Sequence, residues 1–253
     1  MQINEAIAIK VLETVDAGLC AGMGKPIPGQ MCVEAAVCYA MGLPHSDEPS
    51  CVAPSLRMLK INLNDKKWSS NAVRAQGLRR LALAQLGSAG HLDEPEFGRL
   101  LGKLAITSCA AKALRSAAKV QKDKKHIDAL NAAADRCAIE GTIESALAGR
   151  AAAYAAANAN GAYAAAAAAA NVADAANAAA NAANVAAAAA ANVADAYAAA
   201  NVAAAAAAAA DAANAADAAE RDRVLAEFAE EVVQILIDLK APGRQWLSLT
   251  EAP

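Results

Sequence analysis

The residues of this chain best placed to do chemistry lie in Gly22-Met-Gly-Lys25-Pro-Ile-Pro-Gly-Gln30-Met-Cys32. A Gly/Pro-rich loop here runs into an apolar helical pattern and puts a thiol at its first turn. Exposed backbone N–H groups and the helix dipole lower the pKa of a thiol in such a position. Gln30 stands two residues upstream, where an amide can support an oxyanion. A cysteine hydrolase also needs a histidine with an orienting partner, and His45, His91 and His126 are the candidates. The competing reading is structural, because Val33, Ala35, Ala36 and Val37 make Cys32 the start of an ordinary core helix, in which Glu34 is a solvated or paired charge. Cys32 is therefore kept as a candidate only, and no catalytic residue is assigned. Lys25 and Gln30 are kept as binding candidates. The Gly22-x-Gly-Lys25 run lacks the spacing, the following Ser/Thr and the preceding strand of a phosphate loop.

The second set of candidates is a polar stripe in the C-terminal half. From Ala151 to Ala219 the chain is alanine decorated with asparagine and aspartate. The motif Asn-Val-Ala-Asp-Ala-Ala/Tyr occurs at 171–176 and again at 192–197. Asn171, Asp174, Asn181, Asn184, Asn192 and Asp195 follow a step near 3.5 residues and fall close to one helical stripe. Amides donate and accept, so the stripe is read as a ligand- or partner-binding surface or as a solubilising face.

These candidates must be positioned by helices. Periodic apolar residues mark a first helix through Val11 and Leu19, a second from about Gln30 to Tyr39, and a third over 56–63. Ser69 or Ser70 caps the helix carrying Leu78 and Leu81, and Asp93 caps one extending to about Val120. Asp123 and Thr142 open two more, and Asn158-Ala-Asn-Gly161 is a stop signal. The expected fold is all-α, with an amphipathic helical domain at 1–120 packed on a close-packed alanine-rich bundle at 121–253. An amphipathic helix at 219–240 closes that bundle or pairs with a second copy.

Composition removes several functional classes. Aromatic residues are only 3% of the chain, and the 57% apolar content is inflated by alanine, which does not drive membrane insertion. Residues 1–150 carry 19 Lys+Arg against 15 Asp+Glu, whereas 151–219 carry four acids and no base. Neither part has the concentrated positive charge that phosphate backbones require, so nucleic acid is not an expected partner. Six cysteines without a C-x-x-C pair, and an N-terminus unlike an export signal, are read as reduced thiols in a cytoplasmic protein without metal or cofactor.

Cys109-Ala-Ala-Lys-Ala-Leu114, His126-Ile-Asp-Ala-Leu-Asn-Ala-Ala-Ala134 and Ile143-Glu-Ser-Ala-Leu-Ala-Gly-Arg-Ala-Ala-Ala-Tyr154 lead into alanine-rich heptads. Over about 109–210 this pattern resembles the Imm-5-like immunity-protein domain of bacteria, with Asn and Asp where that family tends to place Arg and His. The segment Gly29–Gly87 resembles uncharacterised proteins of proteobacteria and their phages. The first resemblance implies an all-helical protein that binds and neutralises a toxin, and it carries over no catalytic residue. The leading expectation is a cytoplasmic helical binding protein of immunity or phage anti-defence type that occludes a partner, a toxin or defence protein. A small-molecule or nucleotide sequestering protein and a thiol enzyme using Cys32 stand as alternatives.

Overall fold

The computed structural model describes residues 3–160 and 218–251. Among them the chain is all-α, with no β-strand and one isolated antiparallel bridge between Gly24 and Met31. The helices are α1 (Glu5–Asp16), α2 (Val33–Ala40), α3 (Pro54–Asn64), α4 (Asn71–Ala84), α5 (Glu94–Leu104), α6 (Ala111–Lys119), α7 (Lys124–Glu140), α8 (Ile143–Asn160) and α9 (Ala218–Asp238). No described helix is long and apolar enough to cross a membrane.

Local chemistry sets most of the boundaries. The Asn4 and Ser70 side chains accept from the Ile7 and Val73 N–H groups and start α1 and α4. Pro54 occupies the first turn of α3, where its missing N–H costs nothing. Gly141 closes α7 in the left-handed conformation (φ 59°) and donates to the Cys137 carbonyl. The single helix expected from Asp93 to Val120 is instead α5 and α6 joined by a π-helical segment, Ala105–Ala110. One extra residue per turn leaves no mark in the apolar spacing of so short a segment.

By its contacts the chain divides into two compact units, Met1–Phe97 with Leu225–Pro253, and Gly98–Val224. In the first, Val11, Val15, Leu56, Leu59, Leu63, Leu78, Leu81, Phe228, Val232 and Leu236 are fully buried or nearly so. Gly77 accommodates the Trp68 ring, whose Nε1–H donates to the Leu63 carbonyl at 3.1 Å. A 3-10 segment, Pro242–Thr250, lies on α4, and Arg79 holds it by donating to the Thr250 carbonyl at 3.0 Å. The same guanidinium grips Asp16 of α1 through two bonds of 2.7 and 3.0 Å.

In the second unit α6, α7 and α8 pack against one another around Leu114, Leu130, Ala134, Cys137 and Ala153. Gly149 lies against the Leu114 side chain, so the absence of a Cβ there lets α8 approach closely.

Candidate functional site

The loop between α1 and α2 is a braced structure. Cys20 donates its N–H to the Met31 carbonyl at 2.9 Å, Lys25 to Gln30 at 2.7 Å and Gln30 to Ile27 at 2.9 Å, which folds residues 20–32 back on themselves. Gly24 makes the return possible. Its φ is +71°, and a Cβ there would overlap the Gln30 carbonyl.

The scaffold fastens this loop from below. Asn64, fully buried at the end of α3, donates through Nδ2 to the Cys20 carbonyl at 2.8 Å and accepts through Oδ1 from the Val33 N–H at 3.3 Å. Asp65 accepts from the Gly22 N–H at 2.7 Å. Arg74 of α4 donates to the Leu19 carbonyl at 2.9 Å and to the Asn64 carbonyl at 2.8 Å. His45 Nε2 lies 3.1 Å from the Gly24 carbonyl.

On this base the loop presents Met23 and Ile27, which are 43% and 48% exposed, together with exposed Lys25, Pro26, Pro28 and Gln30. The structure therefore places Lys25 and Gln30 on one solvent-facing loop.

Cys32 faces the other way. It is buried and forms the N-cap of α2, with its sulfur accepting from the Ala35 N–H at 3.4 Å. The depressed thiol pKa expected at a helix start is reversed: burial pushes Cys32 up to about 11, outweighing the backbone N–H groups that favour the thiolate. No imidazole bonds this thiol among the described residues. His45 binds Gly24, and His91 lies 3.1 Å from the Ala89 carbonyl. The first-turn N–H groups of Val33 and Ala35 are already occupied by Asn64 and Cys32, so α2 does not offer them to an anion.

The polar stripe Asn171, Asp174, Asn181, Asn184, Asn192 and Asp195, together with the stop at Gly161, lies outside the described residues. Among those described there is no group of three or more His, Cys, Asp or Glu side chains arranged to hold a metal. Among the described residues, which include all six cysteines, there is no disulfide, and burial raises the pKa of Cys20, Cys38, Cys51 and Cys137.

Two further features escaped the sequence reading. One is a cavity of about 380 Å³ in the first unit, bordered by Cys51, Gly87, His91, Gln245 and Trp246. The other is a fully buried trio, Glu34 of α2, Lys60 of α3 and Gln85. Lys60 had a legible signal, because it shares a helix face with Leu56 and Leu63 at i+4 and i+7 spacing. The cavity had none, since it joins residues some 150 to 200 positions apart in the chain.

No family model, no curated protein and no solved structure matches this chain.

Proposed function

We propose that this is a non-enzymatic helical binding protein that acts in the cytoplasm by occluding a partner protein, as inhibitors of immunity or anti-defence type do. The observation that carries the reading is the loop 20–32, whose exposed Met23 and Ile27 stand on a backbone held by Asn64, Asp65, Arg74 and His45. A loop already fixed in one conformation loses little entropy on binding, so a few apolar side chains on it suffice as anchors. The raised pKa of Cys32 and its lack of an imidazole partner count against thiol catalysis at the same place. The resemblance to immunity-protein domains motivates the choice of a toxin or defence protein as partner.

The test is capture from lysate of the native host with wild-type protein and with a Met23→Asp/Ile27→Asp variant of unchanged thermal stability. A partner retained by the wild type and lost from the variant supports the reading. Equal capture by both, or capture by neither, sinks it.

The cavity beside Trp246 favours a second reading, sequestration of a small uncharged molecule. Its volume falls within the range of ligand sites, no Lys or Arg among the described residues borders it, and the buried Trp246 indole N–H finds no acceptor among them. Benzamide is a suitable probe, with an apolar ring and a carbonyl acceptor. Quenching of indole fluorescence that Trp246→Phe abolishes would favour this reading, and no response at millimolar probe would reject it.

A further inference from the structure

Deep in the first unit, Lys60 Nζ lies 3.6 Å from Glu34 Oε1, and both side chains are completely buried. Gln85 is equally buried and close enough to Glu34 to bear on its carboxyl group. Yet among the described residues no hydrogen bond of full strength reaches either oxygen of Glu34, the Lys60 nitrogen or either polar atom of Gln85, and the Lys60–Glu34 contact stays just outside hydrogen-bond distance. A buried ion pair offsets its lost hydration only when its remaining lone pairs and protons are bonded. Unsatisfied buried polar atoms are rare enough in native proteins that each calls for a cause. Here five such atoms converge in one pocket closed to bulk solvent, between α2, α3 and the residue following α4.

We propose that Glu34 and Lys60 condense into an intramolecular isopeptide bond that staples α2 to α3, with Gln85 as the amide that pairs with it. Burial raises the pKa of the Glu34 carboxyl and lowers that of the Lys60 ammonium, which moves the pair toward neutral acid and free amine. The Nζ lone pair then attacks Glu34 Cδ, and the carbonyl π electrons move to oxygen, where a Gln85 amide proton can stabilise the charge. As the carbonyl re-forms, the hydroxyl leaves as water, carrying a proton from Nζ. One C–N bond forms, one C–O bond breaks and one water is released. Nothing is oxidised or reduced, and no co-reactant is needed.

The surroundings favour this step for two reasons. The fold holds the reacting groups near contact distance in a site closed to water, which converts an unfavourable encounter into a local one. The product is also better matched to its pocket than the reactants. An amide offers one N–H and one C=O, complementary to the Oε1 and Nε2 of Gln85, and two buried charges disappear.

Intact-mass measurement of the purified full chain decides the matter. The expected result is a wild-type protein lighter than its sequence mass by one water, and a Lys60→Met variant at full sequence mass. Proteolysis of the wild type should release a branched peptide joining the segment of Glu34 to that of Lys60. The wild-type result stands whether or not the variant folds. A wild-type chain at full sequence mass overturns the proposal. So does loss of ammonia with Lys60 joined to Gln85, or a one-water deficit mapped to other residues.

Discussion

The Asn64 side chain holds the Cys20 carbonyl at 2.8 Å, across 44 residues of sequence, while its other terminus accepts from Val33. One amide thereby fixes both ends of the exposed loop to α3. It can do so because Asn64 is itself held: Arg74 donates to its backbone carbonyl and to that of Leu19, the residue just before the loop.

Replacing Asn64 by Ala leaves the buried Val33 N–H and the Cys20 carbonyl without these partners. We expect a loss of about 2–4 kcal/mol in chemical denaturation, since each unsatisfied buried group costs roughly 1–3 kcal/mol. Faster hydrogen exchange should be confined to residues 20–32 and the start of α2. A variant with unchanged loop protection would show that Asn64 is not the brace.

The thiols should react in the order of their exposure. Cys20 is the half-buried one, whereas Cys32 and Cys38 are buried and both pushed up to about 11. Iodoacetamide on native protein at neutral pH is expected to label Cys20 before Cys32 or Cys38, as read by peptide mass mapping. Rapid labelling of Cys32 would restore it as a reactive thiol.

The same shifts set an alkaline limit. The folded-state pKa of Cys32 and Cys38 lies above the ordinary value of 9.0, so the fold favours the protonated thiols. Their contribution is complete below about pH 9 and is lost as pH rises through about 11. Melting temperature should fall over that interval, and Cys32→Ala/Cys38→Ala should show a smaller fall from its own baseline.

Gly243→Ala tests the seat of the C-terminal 3-10 segment. A Cβ there would strike the backbone carbonyls of Leu83 and Ala84 at the end of α4, which cannot rotate away as a side chain would. We expect destabilisation of about 1–3 kcal/mol by thermal or denaturant melting, the usual cost of overpacking. A neutral outcome would mean that the segment is not seated on α4 as described.

The all-α class was legible because apolar spacing and capping residues agree at element after element, as at Ser70, Pro54 and Gly141. The loop at 22–32 was legible as special from its Gly/Pro content. Its orientation was not, because a helix-start cysteine reads identically whether its sulfur faces solvent or core. The bracing set was hidden for another reason. Asn64, Asp65 and Arg74 are ordinary helix-end and helix-surface types, and only the fold brings them under Cys20 and Gly22. Glu34 was placed in the right helix, but its burial depends on Lys60 arriving from α3.

Site-specific photo-crosslinking tests the binding role of the loop most directly. A photoreactive phenylalanine analogue at position 27 is compared with one at position 139, where Ile139 is 83% exposed on α7 and serves as an apolar control that is not part of the loop. A binding role for the loop gives a discrete protein adduct from position 27 in native-host cells and none from position 139. Adducts of equal yield from both positions, or from position 139 alone, would contradict it.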